Sequence, residues 1–175
     1  MTAPEFARPH RLDQIGTTEN KVSVNAEPAE RKALAGRFGL ASIDSLAADY
    51  VIKSDTSGIV ARGHLSARVT QNCSVTGDPL PVAVEEDFAI RFLPEPDSEL
   101  ADETELSEDE CDIVFYAGSA IDLGEAAAET LLLSLDPFPR GPNAAASLKQ
   151  AGVISEEEVT PFGALSGLKD LLSKK

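Results

Sequence analysis

The chain has no tryptophan, only two cysteines and, between Arg91 and Arg140, no lysine or arginine at all. Two cysteines are too few for a disulfide framework, and no secretory signal precedes them, so we expect a reducing, cytoplasmic compartment. No apolar run approaches the length that crosses a bilayer, so we expect no membrane association. The 175 residues suffice for one domain with a buried core.

Acidic residues fill the stretch that lacks bases. Residues 92–139 carry fourteen Asp and Glu, ten of them within 95–112, so nearly all of the formal net charge of −15 comes from about one quarter of the chain. Such a surface repels phosphate backbones and attracts basic proteins. We therefore take the acids of residues 95–111 as candidate partner-binding residues: Glu95, Asp97, Glu99, Asp102, Glu103, Glu105, Glu108, Asp109 and Glu110.

The N-terminal third predicts short elements. Residues 1–7 are expected to fray, and the apolar pieces at 10–15 and 21–24 are typical of strands. Pro28 suits a first helical turn, Leu34 and Phe38 share one face, and Gly39 can end a helix. We predict a helix over residues 28–38.

From residue 46 onward the apolar pattern alternates with a period of two. This pattern runs through residues 46–53 and, after the turn SDTSG, through 59–70, with a third strand over 82–92. Side chains on a strand point alternately to opposite faces, so this pattern predicts a half-buried antiparallel hairpin and its neighbour. The polar, unperiodic residues 95–111 then predict a solvated loop that need not be ordered, inserted before a fourth strand over 112–117.

The last third predicts helices. Asp122 can cap a helix over about 123–135, with Glu125 three residues later as in a capping box, and Pro137 and Pro139 end it. Ser155 with Glu158 gives a second, brief capping signal. A stripe at spacings of three and four predicts a final amphipathic helix, formed by Phe162, Leu165, Leu168 and Leu172. The fold class predicted is α+β, with an antiparallel sheet of at least four strands that could curl toward a barrel and with flanking helices.

Few residue patterns favour catalysis or metal binding. The alternation places Cys73 on the apolar face, away from Arg68, which favours a packing thiol over a reactive one. Cys73 and Cys111 lie too far apart for a zinc motif, and residues 95–112 lack the glycine of a calcium loop. We expect no catalytic residues, no cofactor and no metal; a divalent-metal-dependent nuclease using the loop carboxylates is a weaker alternative.

Three basic side chains share one face of the second hairpin strand: Arg62, His64 and Arg68. Ion pairs across the strands with Asp49, Glu85 or Asp87 are the favoured explanation. The same face is the candidate RNA contact if the chain binds RNA directly.

The order of these motifs resembles the YceD family, the large ribosomal RNA subunit accumulation proteins. RPHRLDQIG is similar to the family's first strand, and NCSVTGDPL resembles its Cys-x-x-Cys-Leu-x-Pro turn, with Thr76 and Gly77 in place of the second Cys and the Leu. IDLGEAAAETLLLSLDPFPR and TPFGALSGLKDLL resemble its helix and its ending. The matching motif positions are Cys73, Pro79, Asp122, Leu123, Glu129 and Pro137.

The resemblance covers residues 8–172, which we take as a single domain between frayed termini at 1–7 and 173–175. It implies a non-enzymatic role in the synthesis, processing or stability of 23S rRNA during assembly of a bacterial large ribosomal subunit. The net charge favours contact with a basic ribosomal protein or a large-subunit precursor, so that rRNA is reached indirectly. Direct RNA binding through the Arg62, His64 and Arg68 face is the alternative.

Overall fold

The computed structural model describes residues 4–95 and 112–153, and these form a mixed α+β fold. Its elements, in chain order, are β1 (Pro9–Arg11), β2 (Asn20–Asn25), α1 (Pro28–Phe38), β3 (Ser42–Asp55), β4 (Gly58–Asn72), β5 (Pro79–Pro94), β6 (Asp112–Tyr116), β7 (Ala120–Asp122), α2 (Leu123–Ser134) and α3 (Ala144–Gln150). A short 3₁₀ turn, Leu12–Gln14, follows β1 where the sequence predicts a continuing strand.

Five strands form one open sheet in the order β2-β3-β4-β5-β6, and β1 pairs with β7 in a separate two-stranded sheet. The expected curl toward a barrel is wrong. A barrel requires hydrogen bonds between its first and last strands, whereas β2 and β6 occupy opposite ends of this sheet. The α+β class with a mostly antiparallel sheet is confirmed.

The long hairpin predicted from the alternating pattern is present and extends further than expected. β3 and β4 pair in antiparallel register from Ser42↔Thr70 to Asp55↔Gly58. The turn is closed by the Asp55 side chain, which accepts a hydrogen bond from the Ser57 amide at 2.7 Å, and by Gly58 at a φ of 139°. β5 continues the antiparallel order beyond β4.

β6 departs from the predicted pattern because it runs parallel to β5. Ile90 lies beside Asp112 and Pro94 beside Tyr116, so the chain must return along the length of β6 before pairing. A parallel pair needs a crossover connection of a dozen or more residues, and residues 95–111 supply it. The predicted solvated loop at 95–111 lies outside the described residues except for Glu95.

The core lies on one face of the sheet, beneath α1 and α2. Leu46, Tyr50, Ile52, Leu65 and Val69 point to this face and are at most 2% exposed. Leu34 of α1 and Leu131 of α2 pack against them and are fully buried. The opposite face carries the exposed side chains of Arg62, His64 and Arg68. The sheet therefore presents one packed face and one polar face.

Helix α1 has the predicted bounds. Glu27 forms a capping box with Glu30, Pro28 opens the first turn, and Gly39 ends the helix at a φ of 67°. The left-handed conformation at Gly39 is one that glycine adopts without a steric penalty.

Fraying was expected over residues 1–7, but within the described part of this range, residues 4–7, the chain packs against the core. Phe6 is fully buried, and the Arg8 guanidinium lies 4.6 Å from the centre of its ring. Burial of one phenylalanine side chain stabilises a fold by roughly 1.5–3 kcal/mol, which offsets part of the cost of ordering this segment, about 1–2 kcal/mol per residue.

Three predictions for the C-terminus fall outside the described residues: the capping signal at 155–158, the amphipathic helix at 162–172 and the frayed end at 173–175. Helix α3 lies within the described part and was not predicted.

Candidate functional site

The N-terminus of α2 is fixed by the Asp122 carboxylate. Its Oδ1 accepts hydrogen bonds from the amides of Gly124 and Glu125, each at 3.0 Å, and from the amide of Arg8 at 2.8 Å. The predicted capping role of Asp122 is therefore present. A β-carbon on Gly124 would collide with the carbonyl of Phe6, so this glycine permits the close approach of the N-terminal segment.

The expected capping box at α2 is incomplete. Glu125 does not close the box with Asp122; its carboxylate pairs with the guanidinium of Arg37, with an Nη2–Oε1 distance of 2.6 Å. Arg37 also contacts Glu5 at 3.1 Å. A backbone hydrogen bond, and secondly the bond from Arg37, lower the pKa of Glu5. The bond to Glu125 is the main cause that raises the pKa of Arg37. Together these bonds tie α1, α2 and the N-terminal segment.

Cys73 opens the turn that leads into β5 at Pro79. It is 3% exposed, and its Sγ accepts hydrogen bonds from the amides of Gly141 at 3.3 Å and Thr76 at 3.5 Å. These hydrogen bonds lower the pKa of the thiol to about 6, that from Gly141 contributing most. The position of Cys73 relative to Arg68 along the chain gave no indication of these amides. Because so little of Cys73 is exposed, its geometry suits packing of the turn against the segment after α2.

The basic face of β4 is partly paired. The two imidazole nitrogens of His64 lie 2.6 Å from Asp87 and 2.9 Å from Glu85, and these carboxylates raise the pKa of His64. Asp49 bonds to the hydroxyl of Ser23 instead. Neither Arg62 nor Arg68 forms an ion pair with a described residue.

Of the candidate acidic residues, Glu95 is described and the other eight lie outside. The Glu95 amide donates to the carbonyl of Tyr116 at 3.0 Å, which places the start of the acidic stretch beside the end of β6. Asp112, at the other end of the stretch, begins β6.

A cleft of about 270 Å³ separates β6 from α2, and it was not predicted from the sequence. Tyr116 lies on its sheet side and Glu129 on its helix side. The contributing sheet residues are Phe92, Val114, Phe115 and Tyr116. Phe115 alternates with Val114 and Tyr116, so its side chain points to the opposite face of the sheet, where it is 54% exposed. The adjacent aromatic residues in the fourth strand were the available signal.

Within residues 4–95 and 112–153, no group of three or more His, Cys, Asp or Glu side chains is arranged to hold a metal ion. None of the helices in these two ranges combines the length and apolar character needed to cross a bilayer.

Residues 61–169 match the family model described as large ribosomal RNA subunit accumulation protein YceD. The chain belongs to the YceD family. The match spans β4 through α3 and continues beyond the described residues. No curated protein and no solved structure is significantly similar to the chain.

The YceD match begins inside the hairpin, yet the fold does not divide there. β3 precedes the matched region and pairs with β4 along nearly its whole length. The motif positions of the family resemblance lie in two segments, one from the α2 cap at Asp122 to Pro137 just after the helix, and the other the turn from Cys73 to Pro79. Gln71 joins these two places, because its side-chain amide donates to the carbonyl of Asp136 at 2.8 Å.

Proposed function

We propose that this YceD protein acts without catalysis in large-subunit assembly, supporting the synthesis, processing or stability of 23S rRNA by binding basic ribosomal proteins. The observation that carries the proposal is membership of a family described by large ribosomal RNA subunit accumulation. The acidic stretch and its attachment beside β6 support a protein partner over a phosphate backbone.

Charge favours this mechanism over general RNA binding. A net charge of −15 repels phosphates, whereas a basic protein is attracted and its encounter rate is raised. The attraction between exposed charges acts over roughly 10 Å at about 0.1 M salt, so binding should weaken as salt is added.

The test neutralises the acidic stretch without shortening it. Deleting residues 96–111 would remove the crossover that the parallel β5–β6 pair needs, so loss of binding could reflect a broken sheet. Replacing the eight carboxylates of residues 96–111 by the matching amides keeps the length and changes the net charge from −15 to −7. Affinity for purified basic ribosomal proteins is then measured over a range of salt concentrations.

The matched control scrambles residues 96–111 while keeping their composition. We expect the scrambled variant to bind as the natural chain does, and the amide variant to lose at least about tenfold in affinity at low salt together with most of its salt dependence. Equal affinity and equal salt dependence for the amide variant would show that the acidic stretch does not mediate capture.

Direct RNA binding is a second candidate, favoured by the exposed guanidinium groups of Arg62 and Arg68. Replacing both by alanine should weaken crosslinking to 23S rRNA precursors. It should also reduce, by about two, the slope of the logarithm of RNA affinity against the logarithm of salt concentration. A control with the same loss of charge replaces Arg11 and Lys32, which lie outside β4. Unchanged crosslinking of the Arg62 and Arg68 variant would exclude this route.

A further inference from the structure

The cleft between β6 and α2 combines apolar walls with a carboxylate, that of Glu129, which forms no hydrogen bond within residues 4–95 and 112–153. Tyr116 contributes to its sheet side, and Glu129 lies across from it on α2. No hydrogen-bond donor among the described residues reaches the Glu129 carboxylate. Partial burial raises the pKa of Glu129 and the charge of Glu125 raises it further, with Arg37 opposing them. A carboxylate in such surroundings gains from an added cation.

The outer edge of β6 is a second feature of the same surface. β6 ends the sheet order, and the described residues place no strand beyond it. The edge of a sheet presents backbone N–H and C=O groups that can pair with an extended segment of another chain. The exposed ring of Phe115 lies on this strand, beside those groups.

Charge identifies the kind of segment that would occupy this surface. The acidic stretch is attached at both ends of β6, through Glu95 beside Tyr116 and through Asp112. It carries no base between those ends. A segment rich in lysine or arginine is attracted to this position, whereas an acidic or phosphate-bearing one is repelled.

We propose that an extended basic segment of a partner protein pairs its backbone with the edge of β6 and places one lysine or arginine side chain in the cleft, against Glu129 and the ring of Tyr116. Aromatic faces attract cations, and guanidinium groups also stack on them. The identity of the partner, a basic ribosomal protein, rests on the proposed function. The inference adds that the edge of β6 and the cleft are the surface that recognises the basic segment of that partner.

The experiment uses the full chain and a defined probe. A fluorescent decapeptide of alternating arginine and threonine is titrated with the protein, and anisotropy gives the dissociation constant. A second peptide carries citrulline, which is neutral, in place of arginine. A third carries N-methyl groups on alternate backbone amides, which prevents strand pairing on one edge. We expect each altered peptide to bind at least about tenfold more weakly.

Two variants test the cleft, and each has a matched control. Glu129→Gln and Tyr116→Leu should each weaken binding of the arginine peptide about fivefold or more. Asp44→Asn removes one exposed charge at the far end of β3, and Phe138→Leu removes one exposed aromatic ring from the segment after α2; both should bind as the natural chain does. Thermal unfolding of all four confirms that they fold. Equal binding by the cleft variants and the natural chain would overturn the proposal, and equal binding of the N-methylated peptide would overturn strand pairing.

Co-sedimentation with large-subunit precursors separates this inference from the proposed function. If the natural chain travels with precursors while the cleft variants bind the peptide normally, the cleft assignment is wrong and the function stands. If the cleft variants lose peptide binding but the natural chain never travels with precursors, the cleft assignment stands and the function is wrong.

Discussion

Removing the hydroxyl of Tyr50 tests how α2 is held on the sheet. Tyr50 lies in β3 and is 1% exposed, and its hydroxyl donates a hydrogen bond to the carbonyl of Leu123 at 2.7 Å. Its ring packs edge to face against Phe88, with the ring centres 5.1 Å apart. Tyr50→Phe keeps the ring and its packing, so the variant removes this hydrogen bond and little else.

The expected loss of stability follows from the position of the acceptor, the carbonyl of Leu123. Leu123 is the first residue of α2, so its carbonyl also accepts the amide of the residue four positions later. The carbonyl therefore keeps one partner in the variant. The loss is that of one net hydrogen bond, about 0.5–1.5 kcal/mol, and not the roughly 1–3 kcal/mol of a buried group left without any partner. For a domain of this size, about 1 kcal/mol lowers Tm by about 2–4 °C.

Urea unfolding followed by circular dichroism measures the difference. Tyr116→Phe is the matched control, because no hydrogen bond from the Tyr116 hydroxyl to a described residue is present. We expect Tyr50→Phe to lower the urea concentration at the unfolding midpoint without changing how steeply the unfolding free energy falls with urea. The unfolding free energy of Tyr116→Phe should stay within about 0.5 kcal/mol of that of the natural chain. If the two variants were equally stable, or if Tyr50→Phe cost more than about 3 kcal/mol, the reasoning about the Leu123 carbonyl would be refuted.

Three further predictions concern the cap, one glycine and one histidine. Asp122→Ala leaves three amides without their acceptor and should destabilise the fold by about 1–3 kcal/mol in urea unfolding; a loss below about 0.5 kcal/mol would contradict the cap. Gly124→Ala should cost about 1–3 kcal/mol because the new β-carbon meets backbone, whereas Gly36→Ala in α1 meets nothing and should stabilise by about 0.4–1 kcal/mol; the opposite order would be inconsistent with the packing described. Two cross-strand carboxylates, that of Asp87 foremost, raise the pKa of His64, so the stability this pairing contributes is fully present below about pH 6.5, the ordinary histidine value, and is lost as the pH rises through the folded pKa. The difference in unfolding free energy between the natural chain and His64→Gln should therefore shrink with rising pH, and a difference that grows would count against these ion pairs.

The sequence predicted those parts of the fold that depend on local patterns. The β3–β4 hairpin follows from alternation and a tight turn, and α1 follows from Pro28 and Gly39 at its two ends. The parallel direction of β6 does not follow, because alternation of side chains is the same in either strand direction. The pairing of β1 with β7 involves three residues on each side, too few for a periodic signal.

Features of the site that depend on distant contacts were also missed. The amide that contributes most to lowering the Cys73 pKa belongs to Gly141, which is 68 positions later in the chain. The burial of Phe6 requires α2, and the cleft requires both α2 and β6. Single positions of this kind carry no pattern in the sequence, whereas the acidity of residues 95–112 was plain from composition.

The contact between Arg8 and Asp122 joins residues 114 positions apart, and it has a consequence for synthesis of the chain. Strands β2 to β5 can pair as they leave the ribosome, because each lies next to its neighbour in sequence. The N-terminal segment cannot pack until α2 has emerged, because Asp122 accepts the hydrogen bond from the Arg8 amide and Gly124 lies against the carbonyl of Phe6. A nascent chain stalled after β5 therefore exposes the part of the sheet's apolar side that α2 covers, and completion of the core waits for residues translated after the acidic stretch.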